Sequence, residues 1–229
     1  RCAGRSFGPA FLYPHRETGQ IALLCRVFDS SRYSWDLCSV NREDVIAAVR
    51  AHQSLELPST GLRPSAVLVA LREMSDSDGF ELILTRRTEK LPSHAGQVSF
   101  PGGGTKDSDA NPESTALRET EEELGIDPAC VTVVGELDHL NTITGYHVVP
   151  IVGIVPRDIV FKPSEHEVAK VFTVPLDVFL DDSRWVTKVH NYKGSEIAMQ
   201  ELHWDGENIW GATAYMIQRF CYVLKRFTP

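Results

Sequence analysis

The stretch FPGGGTKDSDANPESTALRETEEELGI, residues 100–126, sets the tightest limits on how this chain folds. Its Pro-Gly-Gly-Gly opening lets backbone approach another group closely, because glycine carries no Cβ. Asn111 followed by Pro112 reads as a helix start, with Asn as the cap and Pro where no helical N–H is lost. Gly125 is the expected stop. At about 100° per residue, Glu119, Glu122 and Glu123 fall on one face, while Leu117, Thr120 and Leu124 fall roughly opposite and face a core. Three carboxylates are therefore expected to project together from an anchored helix.

An isolated acidic run is usually a solvated helix face. Two features argue for more here. Arg118 stands four residues before Glu122, spaced to pair with it and hold its carboxylate, and the glycine turn brings backbone close to whatever that face binds. Crowded carboxylates repel one another unless a hard cation offsets the repulsion, and Mg²⁺ or Mn²⁺ takes such oxygen ligands.

Gly103, Asp109, Arg118, Glu119, Glu122, Glu123, Gly125 and Ile126 together resemble the Nudix box, the signature of hydrolases that cleave a nucleoside diphosphate linked to another group. Two details depart from that pattern. Asp109 stands in place of a Glu, and eight residues rather than seven separate it from Arg118. Because Asp109 precedes the helix cap, the extra residue falls in the loop and leaves the glutamate face unrotated. Just upstream, LILTRRTEKLPSHAGQVSFPGG, residues 82–103, resembles the segment that marks the coenzyme A pyrophosphatase branch of the family, with Thr85, Thr88, Gly96, Phe100, Pro101, Gly102 and Gly103 at matching spacing. Pro92 takes the place where that branch usually has Arg, and Arg86, Arg87 and Lys90 are the nearby cations that could substitute. The likeness continues through TGYHVVPIVGIVP, SEHEVAKVFTVPL and IWGATAYMI.

The resemblance implies an α/β fold, a Nudix α/β/α sandwich with a mixed β-sheet between helices. It implies a divalent metal, Mg²⁺ or Mn²⁺, held by Glu119, Glu122 and Glu123. Glu122 and Arg118 then belong to the catalytic set, together with one of two glutamates in PSEHEV, Glu165 or Glu167, which completes the metal site or acts as general base. A substrate would meet Thr85, Arg86, Arg87, Gly96, Gly102 and Gly103. The implied reaction is cleavage of the diphosphate of coenzyme A or its acyl and oxidised derivatives, to adenosine 3′,5′-bisphosphate and 4′-phosphopantetheine or its derivative. Two alternatives stand beside it. One is another Nudix substrate, such as ADP-ribose, a dinucleoside polyphosphate or an RNA cap. The other is a catalytically silent Nudix-fold binding module, against which the intact Arg118-Glu119 and Glu122-Glu123 pairs argue.

The net charge of −8 sets the chain against a general nucleic-acid surface, which requires clustered Lys and Arg. No run approaches the roughly 18 apolar residues that span a membrane. Five scattered cysteines, Cys2, Cys25, Cys38, Cys130 and Cys221, show no zinc-site spacing and an odd count, so a reducing, intracellular compartment is expected. A chain starting at Arg1 rather than Met is expected to be a processed form, and the choice between cytoplasm and an organelle such as mitochondrion or peroxisome stays open. There is no Gly-x-x-x-x-Gly-Lys-[Ser/Thr] loop. His94, His139 and His147 fit structural roles better than catalytic ones, Trp210 fits a packing point, and Tyr146 fits either a pocket or the core.

Residues 1–62 read as an N-terminal α+β extension, for packing or subunit contact in a homodimer, with partner binding as the alternative. Within it, 21–28 is an expected strand and Asn41 to His52 an expected helix, capped by Asn41 with Glu43 and Asp44 in its first turn. Residues 63–229 read as the Nudix domain. SAVLVAL and FELILTRR are expected strands joined at Asp78-Gly79. Further strands are expected at 130–137, 147–155 and KVFTV, and a last helix from Thr213 to Lys225.

Overall fold

The computed structural model describes residues 12–14, 21–23, 40–74, 79–90, 94–192 and 194–227. Cys2, Cys25, Cys38, Asp78 and Pro92 lie outside the described residues, as does the 24–28 part of the expected first strand. Strands β1 (Leu12–Pro14) and β2 (Ile21–Leu23) pair antiparallel. Helix α1 (Arg42–Ala51) begins where the Asn41 side chain accepts from the Glu43 and Asp44 N–H groups, while Asp44 accepts from the Asn41 N–H in return. Val45, Ala48 and Val49 are its buried face.

A mixed sheet follows from β3 (Arg63–Glu73), β4 (Phe80–Arg87), β5 (Val98–Ser99) and β6 (Gly102–Gly104), then helix α2 (Pro112–Leu124) and strands β7 (Thr132–Glu136), β8 (Leu140–Asn141), β9 (Tyr146–Val155) and β10 (Val168–Pro175). The order is β10-β4-β3-β9-β7, with β5 on β4, β6 on β3 and β8 on β9. Its β3–β9 pair is parallel and its other pairs are antiparallel. A short helix α3 (Leu176–Leu180) leads to a ribbon of β11 (Val186–Tyr192), β12 (Ser195–Trp204) and β13 (Glu207–Ile209), and the chain continues into α4 (Gly211–Phe227).

Side chains alternate across a strand, so one sheet builds two cores. Ala66, Leu68, Ala70 and Ile83 meet Ala116 and Leu124 of α2 on one face. Val69, Leu71, Leu82 and Leu84 join a cluster with Val45 and Val49 of α1 and Ile217, Phe220 and Leu224 of α4 on the other. Helices thus cover both faces of the sheet, the α/β/α sandwich that the sequence resemblance implies. The ribbon β11–β13 has no counterpart among the expected strands. VTKVHNY mixes Lys, His and Asn with valines, and Val186 and Val189 are exposed, so no apolar alternation marks it.

Helix α2 ends where expected. Gly125 takes the left-handed conformation with φ 68° and donates its N–H to Glu121 O at 2.8 Å. A Cβ there would also lie 2.9 Å from Lys162 Cβ, on the segment whose Lys162 N–H donates to Leu124 O. Gly125→Ala is expected to cost about 1–2 kcal/mol, a Tm drop of roughly 2–6 °C, through backbone strain and that contact. A melt within 1 °C of wild type would show that the turn relaxes freely.

Candidate active site on helix α2

The organising group of the site is Arg118. Its guanidinium has five N–H donors, and all five are used. Nε donates to Asp109 Oδ1 at 2.9 Å and Nη2 to Asp109 Oδ2 at 2.8 Å, a two-pronged contact. Nη1 donates to Glu119 Oε1 at 2.7 Å and Glu122 Oε2 at 3.1 Å, and Nη2 also reaches Gly104 O at 3.0 Å. The i,i+4 pair with Glu122 expected from spacing is present, and three further acceptors join it. Asp109 takes the two-pronged contact from its loop position, where the Lys106 N–H also donates to Oδ2 at 2.9 Å. The Arg118 hydrogen bonds hold the Asp109 carboxyl well below the usual range.

Lys106 is a functional candidate that sequence reasoning missed. Its ammonium meets both Glu122 oxygens, at 2.9 and 3.2 Å, and with Arg118 keeps that carboxyl below its ordinary value. Sixteen residues separate the pair, so no local periodicity could have joined them.

The three glutamates do not project equally. Glu122 is the open one, while Glu123 is 2% exposed. Glu123 lies about 100° around the helix from Glu122, beside the inward-facing Thr120, so it turns under the helix toward the sheet. There its Oε2 accepts from the Gly102 N–H at 3.2 Å, and Oε1 lies 3.5 Å from Arg87 Nη1. Burial pushes the Glu123 carboxyl up to about 8 despite Arg87 and the Gly102 N–H, and the charges of Glu167 and Glu119 add to the rise.

The loop carrying Glu165 and Glu167 is tied to the same helix end by the Ser164 N–H, which donates to Glu123 O at 2.9 Å, and to the end of β4 by the Thr88 N–H, which donates to Glu167 O at 3.0 Å. Glu165 is exposed at the loop tip, whereas Glu167 is half-buried and acts electrostatically on Glu123. The remaining candidates scatter. Thr85 is 1% exposed and bonded to Ser99 across the β4–β5 pair, Gly96 forms the turn into β5, and Gly102 and Gly103 sit in β6 beside α2. Arg86 and Arg87 point to opposite faces of the sheet, Arg86 toward Glu207 at 3.6 Å and Arg87 toward Glu123.

Of the histidines, His147 is buried between Asn141 and His139, and burial holds its ring below the ordinary value. His94 bonds Gln97 at 2.8 Å. Both are engaged in packing and loop contacts. Tyr146 packs against the α4-side core under the Arg63 guanidinium, 3.9 Å from its ring centroid.

The family model for the NUDIX domain matches residues 62–192. The chain belongs to the Nudix family. An uncharacterized Nudix hydrolase NudL from Yersinia pestis is 44% identical over 137 residues, 60% of this chain and 69% of its own, and NudL of Yersinia pseudotuberculosis gives the same figures. Among solved structures, a MutT/nudix family protein from Enterococcus faecalis is similar at 15% identity and TM-score 0.46, covering 80% of this chain and 74% of that one. A C. elegans Ap4A hydrolase is similar at 22% identity and TM-score 0.42, covering 49% and 80%. The protein is thus a Nudix hydrolase, and Nudix hydrolases generally need divalent metal ions.

The donor chemistry of α2 fits such an ion. Glu119, Glu122 and Glu123 offer hard oxygens, and a Cβ at residue 103 would lie 2.5 Å from Glu119 Oε2, so glycine there keeps one side of that carboxylate clear. Among the described residues no three His, Cys, Asp or Glu side chains already surround one point. Lys106 and Arg118 hold the Glu122 carboxylate, while Arg87 and the Gly102 N–H hold that of Glu123. Among the described residues, too, no helix is long and apolar enough to cross a membrane.

Proposed function

We propose that this Nudix hydrolase cleaves the diphosphate of coenzyme A and of its acyl and oxidised derivatives, releasing adenosine 3′,5′-bisphosphate and 4′-phosphopantetheine or its derivative. What supports the reading is the segment 82–103, which resembles that of the coenzyme A pyrophosphatase branch apart from Pro92 and whose Gly102 N–H donates to Glu123. Branch signature and Nudix helix therefore share one hydrogen bond.

In this reading Glu119, Glu122 and Glu123 hold Mg²⁺ or Mn²⁺, which when bound neutralises diphosphate charge and lowers the pKa of water. Arg118 keeps Glu119 and Glu122 at a fixed spacing through Nη1, while its other three donors fix the guanidinium on Asp109 and Gly104 O, so those carboxylates lose little freedom on binding. Glu167, rather than the exposed Glu165, accepts the proton of the attacking water, because it is the loop glutamate whose charge reaches Glu123. Lys106, 52% exposed on its side chain, is free to turn from Glu122 to a substrate phosphate. Gly102 lets β6 lie against β3, where a Cβ would come 2.5 Å from Ala66 O, and Gly103 leaves room for the Glu119 carboxylate.

The test is hydrolysis of coenzyme A beside ADP-ribose and diadenosine tetraphosphate, with Mg²⁺ and then Mn²⁺, products read by chromatography. Adenosine 3′,5′-bisphosphate from coenzyme A, with little turnover of the others, is the expected result. Turnover of the others alone would discard the coenzyme A assignment and keep the Nudix chemistry.

A further inference from the structure

We infer that Arg87 is a positioning residue of the acidic site: it fixes the direction of the Glu123 carboxylate and does not meet substrate. The inference rests on the proposed role of Glu119, Glu122 and Glu123 as metal ligands. Its starting point is strand alternation. Ile83 belongs to the core under α2 and Leu84 to the core under α4, so four residues on, Arg87 points to α2 while Arg86 points away to Glu207.

At the end of β4, Arg87 is pinned by its own backbone, whose N–H donates to Gln97 O at 3.0 Å, and by its register with Val168 of β10. From that anchored position Nη1 stands 3.5 Å from Glu123 Oε1, opposite the Gly102 N–H on Oε2. The carboxylate is therefore gripped from two strands, β4 and β6, and its plane is set by both. Arg87 Nε is buried and has no hydrogen-bond partner, so a nitrogen that could have met a phosphate is closed off from solvent. The side chain is 23% exposed and Glu123 is 3% exposed on its own side chain, which places their contact beneath the surface a substrate would touch. Partners that orient a ligating carboxylate act on metal affinity, and losing one costs about 10–100-fold.

The two roles for Arg87 predict opposite signs. A residue that orients Glu123 strengthens metal binding. A substrate contact does not, and removing a cation beside a cation site leaves the affinity unchanged or tightens it. The experiment is Mn²⁺ binding to the full chain, followed by the EPR signal of free Mn²⁺ at fixed pH and ionic strength, for wild type, Arg87→Met, Arg87→Lys, Arg86→Met and Glu122→Gln. Arg87→Met is expected to weaken Mn²⁺ binding about 10–100-fold, Arg87→Lys to recover part of the loss, and Arg86→Met to match wild type. At saturating Mn²⁺ the KM for substrate is expected to stay within about twofold, because the contact removed is to Glu123.

Mn²⁺ affinity that is unchanged or tighter in Arg87→Met, with Glu122→Gln still weakened, overturns the positioning role alone. Wild-type protein that binds no Mn²⁺ overturns the metal reading and this inference together. Should Arg87→Met not fold, Arg87→Gln carries the same expectation.

Discussion

Glu122→Gln is expected to lower turnover by about a hundred- to a thousandfold or more while leaving the fold intact, because in the proposed function it removes the charge of a metal ligand on the open side of α2. The side chain is 48% exposed and its partners are the two cations Lys106 and Arg118, so the core is untouched by the change. Arg118 keeps Asp109, Glu119 and Gly104 O as acceptors, and Lys106 reverts to solvent. The thermal melt measured in a chelator should therefore stay within about 2 °C of wild type. Glu121→Gln is the control, an exposed glutamate of the same helix that should leave both rate and melt unchanged. Near-full turnover in Glu122→Gln would remove this carboxylate from the reaction and, with it, the proposed metal set.

Helix α2 was legible because everything that defines it is local. Asn111 caps the Ser114 N–H, Pro112 follows, and Gly125 closes the last turn within fourteen residues of the cap. What lies on each side of the helix was less legible, since periodicity reports an angle and not a neighbour. Glu123 reads as part of the acidic face, yet its carboxylate ends beneath the helix, held by Gly102 of β6 and Arg87 of β4. Arg86 and Arg87 are adjacent in sequence and look interchangeable as cations, but the pleat sends them to different layers. Lys106, fixed by a loop, left no periodic trace at all. The parallel pairing of β3 with β9 was equally hidden, because some seventy intervening residues carry no register signal for it.

Asp138→Ala is expected to be the most destabilising of these substitutions, at about 3–5 kcal/mol, since it breaks a buried charge network by removing one partner. Asp138 is 8% exposed and sits between β7 and β8. It accepts from His52 Nε2 at 3.0 Å and from the Leu55 N–H at 2.9 Å, both on the segment leaving α1, and from Arg219 of α4 through Nε at 3.0 Å and through Nη2. One carboxylate thus binds the N-terminal helix and the C-terminal helix to the sheet edge they share. Burial pushes this carboxyl up, but the Leu55 N–H and Arg219 outweigh it, and the net direction is down from 3.8. A folded-state value below the unfolded one contributes stability that is present above about pH 4 and is lost as pH falls through the folded value. The stability gap between wild type and Asp138→Asn should accordingly be widest near neutrality and close in acid. Urea unfolding at pH 7, 5, 4 and 3 measures both. A gap that holds constant or widens toward pH 3 would mean that the charge of Asp138 is not what joins the two helices, and that packing of Val45, Val49 and Phe220 does so unaided.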